Sequence, residues 1–597
     1  MSRDRRTRST PPARSERIRR RRRVTAFRLR VGIIVVTMVL SVFGARLFQL
    51  QGIDPGSYAV MAQQAGLVEV ALPARRGAVL DRTGAPLAES LAGSMVVADP
   101  LLTRPDASGI ARIVAEDLDV DYFETLNRLQ REDTRFQYLA RRVPTAVAES
   151  VLRTVEEAGY EGLTVRRDPM RDYPARDVAA NLLGFMGAEG EPMGGLELAF
   201  DPLLEGRDGK ATYEVGAGGA RIPLGDNSVE EPRDGEDLRL TIDRDVQWYT
   251  QRVLRQAVEG SGGSSGAAVA MDVRTGEVLA LADHPTFDAN QPLLVDKGHL
   301  GSRALSDVYE PGSVSKVLTA AALLDAGKVT PRTRILVPGQ LPRQDRVIND
   351  YWDHGRLRLT LTGVLAKSSN IGTVLAADEF SPEELHGYLS DFGLGARTGV
   401  GVGGEARGLL TDWNRWSQIN QDTIAFGQGL SVTVLQMAAA VNTIANDGVH
   451  VSPSIVRGSA THRGGRAVGT HDARTTRVVS EEAARATATM METVTRAGEG
   501  TAPGAAIEGY RVAGKTGTAQ RVDEECGCYR GFTVSFAGFA PADDPRFLVY
   551  VVVQEPQNGG GGGSVGGPAF RDIMSYLLRK YAVPPTGVPA PRLPLEW

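Results

Sequence analysis

The feature that most limits what this chain can fold into is an apolar segment at residues 31–50. It opens with fifteen residues that carry no charge, VGIIVVTMVLSVFGA, and continues as RLFQL. A helix needs roughly 20 mainly apolar residues to cross a bilayer, and flanking arginines can extend their side chains to the interface. No other stretch of the sequence is as long and as apolar. The sequence therefore predicts a protein that crosses a membrane once.

The charges before this segment predict its orientation. Residues 1–30 contain thirteen arginines against Asp4 and Glu16, a net charge of +11, whereas the whole chain carries −4. Arginine collects on the cytoplasmic side of membrane spans, so the first 30 residues should lie inside the cell and the rest outside. A cleaved signal peptide is an alternative, although the cleavage pattern near Gly44–Ala45 is poor. We do not expect nucleic-acid binding, because anionic lipid head groups explain the arginines.

The length of the chain, 597 residues, exceeds what one hydrophobic core supports, so several domains are expected. We predict a basic cytoplasmic tail at 1–30, a transmembrane helix at 31–50, a mixed α/β domain at 51–235, a catalytic domain at 236–582 and a proline-rich tail at 583–597. The proline-rich tail is expected to be disordered.

The pattern of the catalytic domain predicts an α+β fold. A flexible connection, EGSGGSSG at 259–266, precedes a predicted hairpin with strands at Ala267–Val273 and Glu277–Ala282. Two further buried strands are predicted at 532–540 and 547–555, and mainly helical patterns fill the region between the two strand groups. A sheet whose strands come from both ends of a domain, with helices inserted between them, is an α+β architecture.

Lysine is scarce in this chain, with seven lysines against 61 arginines. One of the seven, Lys316, lies three residues after Ser313 in the segment YEPGSVSKVL. Residues three apart on a helix are neighbours, and a lysine that has lost its proton through burial can activate a serine hydroxyl. Alone, this short pattern fits an ordinary serine and a surface lysine equally well.

Two later motifs favour the catalytic interpretation. AKSSNIG at 366–372 contributes Ser368 and Asn370. AGKTGTAQ at 513–520, predicted to be a strand, contributes Lys515, Thr516, Gly517 and Thr518. The ordered set S-x-x-K, S-x-N and K-T-G is the signature shared by penicillin-binding proteins and class A β-lactamases.

Further stretches extend this resemblance to class B penicillin-binding proteins. They are RRGAVLDRTGAPLAES at 75–90, GGLELAFDPLLEG at 194–206, AFGQGLSVTVLQMAAAVNTIANDG at 425–448 and GGPAF at 566–570. The resemblance covers about residues 31 to 580 and is strongest to the septal, cell-division type. It implies that residues 51–235 form a pedestal domain of the dimerisation type. It also implies that residues 236–582 form a transpeptidase domain like that of the serine β-lactamases, with an antiparallel sheet and helices.

The resemblance also implies a reaction, D,D-transpeptidation of peptidoglycan stem peptides. Ser313 would attack the penultimate D-Ala carbonyl with Lys316 as general base, and an amine of a second stem peptide would take the acyl group. Ser368 would bridge Lys316 and Lys515 and carry a proton to the leaving amine, and Asn370 would bind the amide backbone of the substrate. β-Lactams would acylate Ser313, and neither a metal nor an organic cofactor is expected.

The remaining motif residues would bind substrate. The N–H groups of Ser313 and Thr518 would form the oxyanion hole, and Lys515, Thr516 and Thr518 would meet the substrate carboxylate. Gly517 would let the substrate backbone lie close to the strand. Expected partners are the membrane, a polytopic (SEDS-type) glycan polymerase and other division proteins.

Some alternatives remain open at this level. An elongation-type transpeptidase of the lateral wall shares most of these motifs, and a D,D-carboxypeptidase, β-lactamase or β-lactam sensor would use the same serine. The two cysteines, Cys526 and Cys528, could form a small loop disulfide or remain free thiols.

Overall fold

The computed structural model describes residues 14–49, 67–187, 189–214, 227–344, 346–523 and 526–597. Its helices are α1 (Arg14–Phe48), α2 (Pro100–Thr103), α3 (Ala107–Leu118), α4 (Tyr122–Leu129), α5 (Thr145–Glu157), α6 (Ala180–Leu183), α7 (Gly195–Ala199), α8 (Asp201–Leu204), α9 (Arg244–Ser261), α10 (Arg303–Ser306), α11 (Lys316–Asp325), α12 (Leu361–Lys367), α13 (Asn370–Ala377), α14 (Pro382–Asp391), α15 (Gln418–Ala425), α16 (Val434–Ala445), α17 (Glu481–Met491) and α18 (Gly566–Lys580).

The strands are β1 (Leu67–Leu72), β2 (Val79–Leu80), β3 (Pro86–Leu91), β4 (Gly93–Ala98), β5 (Gln137–Pro144), β6 (Leu163–Arg167), β7 (Met170–Asp172), β8 (Gly209–Glu214), β9 (Ser228–Glu230), β10 (Leu238–Arg239), β11 (Ser265–Asp272), β12 (Val278–His284), β13 (Arg334–Val337), β14 (Leu341–Arg343), β15 (Arg346–Ile348), β16 (Leu357–Thr360), β17 (Val449–Val451), β18 (Ala460–Thr461), β19 (Ala467–Val468), β20 (Thr475–Arg477), β21 (Ala513–Asp523), β22 (Cys528–Ala540) and β23 (Phe547–Gln554). These elements divide into a smaller unit, 1–72 with 208–232, and a larger unit, 73–207 with 233–597.

The smaller unit contains α1 and the three-stranded sheet β1-β8-β9. Within α1, the 22-residue stretch Phe27–Phe48 is mainly apolar and exposed, and it is long enough to cross a membrane. This helix matches the single span that the sequence predicts. Residues 1–13 of the basic tail and residue 50 lie outside the described residues.

The first part of the larger unit contains the sheets β10-β2-β3-β7 and β5-β4-β6. Helix α3 buries Ile110 and Val114, which are four residues apart and so lie on one helical face. Helix α5 buries Val151 and Val155 in the same way, and all four side chains join one core with Val96 of β4. This is the mixed α/β pedestal that the sequence predicts.

A buried ion network joins two of the stretches on which the family resemblance rests. The Arg76 guanidinium donates to Glu197 Oε2 at 2.7 Å and to Asp201 Oδ1 at 2.6 Å. Arg171 donates to the other oxygen of Glu197 at 2.7 Å. The Glu197 side chain is fully buried, so its charge needs charged donors at both oxygens, and Arg76 and Arg171 supply them.

The catalytic part is built on a five-stranded antiparallel sheet in the order β12-β11-β23-β22-β21. The strands come from both ends of the domain with helices between them, which confirms the predicted α+β fold. Strand β21, which carries the K-T-G motif, forms the edge of this sheet. The glycine-serine stretch at 259–266 is not a linker: Gly262, at φ +65°, ends α9, and β11 begins at Ser265.

The disorder predicted for the proline-rich tail is wrong. Thr360 of β16 donates its N–H to Leu595 O at 2.9 Å and its hydroxyl to Pro594 O at 2.6 Å. The Trp597 indole donates to Leu359 O at 3.1 Å, and its ring lies 5.1 Å from the Arg334 guanidinium. The backbone groups on the free edge of β16 need hydrogen-bond partners, and the tail supplies them. The amino-acid composition of the tail does not reveal this pairing.

We expect deletion of residues 591–597 to lower the stability of the larger unit. The deletion removes several hydrogen bonds, each worth about 1 kcal/mol, and uncovers the start of α12. The measurement is the thermal unfolding midpoint, with Val588→Ala, at a position 62% exposed, as the control. An unchanged midpoint after the deletion would show that these tail contacts do not contribute to stability.

Candidate active site

The three motifs meet at one open cleft of about 1330 Å³. Residues from each motif line it: Ser313, Ser368, Asn370, Thr516 and Thr518. The other walls come from the 346–351 segment, helix α15 and the loop at 556–564. Edge strand β21 therefore faces the cleft beside the serine of the first motif.

Ser313 lies in a single 3₁₀ turn, Gly312–Ser315, that leads directly into α11. The turn is held by a hydrogen bond from Gly312 N–H to Gly427 O at 2.9 Å. Gly312 has φ +53°, and a Cβ there would lie 3.0 Å from Ala519 Cβ on strand β21. Glycine at this position thus lets the serine turn approach the strand closely.

The Lys316 side chain is buried, with 1% exposure. Its Nζ donates to Ser368 O at 2.6 Å and to Asn370 Oδ1 at 2.8 Å. Burial lowers the pKa of Lys316 to about 7, although the negative charge of Asp350 opposes this shift. A neutral amine has two N–H groups and one lone pair, so these two acceptors leave the lone pair free to take a proton.

The second lysine, Lys515, is also fully buried on β21. Its Nζ lies 2.8 Å from Ser368 Oγ and 3.1 Å from Thr516 O. Burial, and then the positive charge of Lys316, lowers the pKa of Lys515. Ser368 does lie between the two lysines, but it meets Lys316 through its carbonyl and Lys515 through its hydroxyl. Its φ of +60° lets it present both atoms in this way.

A carboxylate that the motifs do not include holds the S-x-N segment from behind. Asp350 Oδ1 accepts the backbone N–H groups of Asn370 and Ile371. Asp350 Oδ2 accepts the Ser369 hydroxyl at 2.6 Å and faces His354 Nε2 at 2.9 Å. Sequence reasoning missed this pair, because an aspartate nineteen residues before Ser369 belongs to no short motif.

Strand β21 alternates between the cleft and the interior. Thr518 and Gln520 are exposed on the cleft side, whereas Gly517 is buried. A Cβ on Gly517 would lie 2.2 Å from Ser535 Oγ and 2.9 Å from Val314 Cγ2. Packing inside the protein therefore requires a glycine here. This reason differs from the one predicted from the sequence, which was that Gly517 lets the substrate backbone lie close to the strand.

We expect Gly517→Ala to reduce acylation of Ser313, because the new methyl group must displace β21 or the serine turn. A displacement of about 1 Å at a reacting group can cost on the order of a hundredfold in rate. The double variant Gly517→Ala/Ser535→Gly removes the nearest clash and should recover part of the loss. The readout is the rate of labelling by a fluorescent penicillin, and a fully active Gly517→Ala protein would contradict the packing argument.

Strands β21 and β22 of one hairpin contribute Gln520, Tyr529 and Phe532 to one side of the cleft. Cys526 and Cys528 form a disulfide in this hairpin, which decides between the two states left open by the sequence. The next residue, Tyr529, lines the cleft and donates its hydroxyl to Glu310 Oε1 at 3.3 Å. Gly429 N–H donates to the same oxygen at 2.9 Å. Glu310 thereby ties this wall to the segment that carries the serine.

Two features define the class of protein. One is a mixed α/β pedestal joined to an α+β domain, and the other is a serine beside a buried lysine, a bridging serine and a second lysine on the sheet edge. This combination defines a penicillin-binding protein with separate pedestal and transpeptidase domains.

Comparison with known proteins identifies the family. The models described as Penicillin-binding Protein dimerisation domain and Penicillin binding protein transpeptidase domain match residues 71–240 and 266–575. Penicillin-binding protein PbpB of Mycolicibacterium smegmatis is 36% identical over 612 residues, covering 96% of this chain and 93% of the relative. Peptidoglycan D,D-transpeptidase FtsI of Escherichia coli K12 is 33% identical over 558 residues, covering 92% and 91%. The chain belongs to the class B penicillin-binding proteins.

Solved structures agree with this assignment. A peptidoglycan synthetase from Bifidobacterium adolescentis superposes with a TM-score of 0.71 at 30% identity, covering 89% of this chain and 100% of that one. Penicillin binding protein 3 from Mycobacterium tuberculosis, complexed with aztreonam, gives a TM-score of 0.68 at 30% identity, covering 88% and 100%. Both resemblances therefore extend over pedestal and catalytic parts together.

Proposed function

We propose that this protein is a serine D,D-transpeptidase that cross-links peptidoglycan stem peptides and is inhibited by β-lactams. The observation that carries the proposal is that Ser313 and Ser368 line one cleft while the buried Lys316 and Lys515 both contact Ser368, Lys316 at its carbonyl oxygen and Lys515 at its hydroxyl. Relatives named peptidoglycan D,D-transpeptidase and a structural relative complexed with aztreonam support it.

In the acylation step, Ser313 Oγ attacks the carbonyl carbon of the penultimate D-Ala of a donor stem peptide. Lys316 Nζ takes the hydroxyl proton as the C–O bond forms. The peptide C–N bond then breaks, and the nitrogen of the terminal D-Ala leaves as an amine after accepting a proton. Ser368, whose hydroxyl contacts Lys515, would pass the proton that Lys316 took from Ser313 to this leaving nitrogen.

The charge that develops on the attacked carbonyl oxygen needs donors already in position. The N–H groups of Ser313 and Thr518 are proposed for this role, since both residues line the cleft. Thr516 and Thr518 would bind the carboxylate of the terminal D-Ala, and buried Lys515 would support it. The donor peptide would lie along β21 as an added strand, because this strand is the sheet edge.

In the second step, an amine of a neighbouring stem peptide attacks the acyl carbon. The new amide bond forms, the ester bond to Ser313 breaks, and the serine recovers its proton. Asn370 would hold the amide backbone of the peptide, as its side chain lines the cleft next to Lys316.

The test is to incubate the full chain, in detergent, with a D-Ala-D-Ala thioester analogue and an amine acceptor. A transpeptidase gives the amide transfer product, and this product should disappear after treatment with a penicillin. Hydrolysis with no transfer product would favour the carboxypeptidase alternative and reject the proposal.

We further propose that the protein acts in septal wall synthesis, beside a polytopic glycan polymerase and other division proteins. The support is the resemblance to relatives named FtsI and PBP3. A fluorescent fusion should gather at the division site, and an even distribution along the lateral wall would favour the elongation type instead.

The apolar helix α1 would anchor the protein in the plasma membrane, with its arginine-rich end in the cytoplasm and its catalytic domain outside. The arginine excess before the span supports this orientation. Protease added to intact spheroplasts should then digest the catalytic domain. Complete protection would reverse the proposed orientation.

A further inference from the structure

His354 contacts Asp350, the residue that holds the S-x-N segment in place. Its side chain is only 5% exposed, and that of its partner Asp350 is completely buried. His354 Nε2 lies 2.9 Å from Asp350 Oδ2, and His354 Nδ1 lies 2.6 Å from Gly355 O. Both ring nitrogens therefore face oxygen atoms.

The protonation state of Asp350 follows from its other partners. The backbone N–H groups of Asn370 and Ile371 can only donate to it. Ser369 Oγ accepts from Gly372 N–H at 2.9 Å, so its single hydroxyl proton points to Asp350 Oδ2 at 2.6 Å. A group that receives three donors has no need of its own proton, and Asp350 is a carboxylate.

The protonation state of His354 follows in turn. The Gly355 carbonyl can only accept, and so can the Asp350 carboxylate. A neutral imidazole has one N–H and could satisfy one of these two oxygens, whereas an imidazolium has two N–H groups and satisfies both. The buried carboxylate also needs a nearby positive charge to offset its desolvation.

We propose that His354, as an imidazolium, is a positioning residue for the active site: it fixes Asp350, and Asp350 fixes the start of α13. The start of α13 carries Asn370, whose Oδ1 accepts Lys316 Nζ at 2.8 Å. A chain of direct contacts thus runs from His354 to the proposed general base. This proposal rests on the proposed function and adds to it a residue outside the three motifs.

The pair has an electrostatic consequence for Lys316. The charge of Asp350 raises the pKa of Lys316 against the effect of burial. A cationic His354 offsets part of that charge, so its loss should raise the pKa of Lys316 further. The other titratable groups here are Lys515, whose pKa is lowered by burial and then by the charge of Lys316, and Tyr351, whose pKa is raised by burial and by Asp350.

The experiment compares His354→Gln and His354→Phe with the unaltered full chain in detergent. Stopped-flow labelling with a fluorescent penicillin separates non-covalent binding from acylation. We expect acylation to fall between about tenfold and a hundredfold, with binding little changed, and the acid limb of its pH profile to move to higher pH. His471→Gln, at an exposed histidine, is the matched control and should behave like the unaltered chain.

A structural role alone would lower the unfolding midpoint without moving the pH profile of the folded fraction. Wild-type acylation at every pH in the His354→Phe protein would overturn the proposal. If neither variant folds, side-chain ¹⁵N NMR of the unaltered chain decides, because an imidazolium shows two protonated ring nitrogens at neutral pH and a neutral ring shows one. If the unaltered chain fails to react with penicillin, the proposed function fails, and the NMR result still reports on His354.

Discussion

The Ser313→Ala protein is expected to lose covalent labelling by penicillin and all transfer of the acyl group to amines. Among the described residues that line the cleft, Ser313 is the one whose hydroxyl lies in the turn leading into α11, three residues before Lys316. Removing the nucleophile of a serine enzyme costs on the order of 10⁶ in turnover, because the remaining groups cannot form the covalent intermediate. The measurement is mass spectrometry of the intact protein after incubation with penicillin.

The neighbouring serine offers a matched control. Ser315 Oγ is buried and has no hydrogen-bond partner among the described residues, so Ser315→Ala removes a hydroxyl from the same turn at little structural cost. This control should retain labelling at the wild-type rate. A Ser313→Ala protein that still gained the mass of one penicillin would show that another residue is the nucleophile.

The Lys316→Met protein is expected to acylate between about 10² and 10⁴ times more slowly than the unaltered chain. The substitution keeps an unbranched side chain of similar length but removes the amine that is proposed to take the proton from Ser313. Lys316→Arg should fail as well, because guanidinium stays charged and offers no lone pair. Lys328→Met, at a lysine that is one-third exposed, is the control.

The dependence of the acylation rate on pH in the unaltered chain follows from Lys316. The amine must be neutral to act as a base, and the pKa of Lys316 is about 7. Acylation should therefore rise with pH through about 7 and level off above it. A flat profile across this range would rule out Lys316 as the titrating base.

Lys316 also links stability to pH, with a sign that can be checked. An ordinary lysine has a pKa of 10.5, so between about 7 and 10.5 the unfolded chain binds a proton that the folded chain does not. Stability contributed by this group therefore rises as the pH rises through that range and is lost as the pH falls. Lys316→Met should remove this dependence and raise the unfolding midpoint at neutral pH, because the buried lysine destabilises the folded protein.

Much of the fold and site could be predicted because it depends on short-range patterns. The span at 31–50 is a matter of length and apolarity, and the strands of the catalytic sheet are continuous apolar runs. The three motifs keep nucleophile, amide and lysine at fixed local spacings. These patterns were sufficient to predict the α+β fold, whereas naming Ser313, Lys316, Ser368, Asn370 and Lys515 as one site also needed the resemblance of the ordered motifs to those of penicillin-binding proteins.

Other features could not be predicted, because their causes are distant in sequence. The proline-rich tail is ordered by the free edge of β16, more than 230 residues earlier. Gly517 is a glycine because Ser535 and Val314 lie beneath it. Asp350 and His354 belong to no sequence motif, and their role depends on the contact between Asp350 and the start of α13.

The sequence by itself determined which chemical groups this protein has: one apolar span, a serine three residues from a rare lysine, and a second lysine on a strand. Only the tertiary structure decided what those groups can do. Lys316 meets Ser368 across 52 positions of the chain, and Lys515 meets it across 147. Burial at that meeting point lowers the pKa of Lys316 to about 7. Desolvation and hydrogen bonding depend on three-dimensional neighbours, so a lysine becomes a base only where the fold places it.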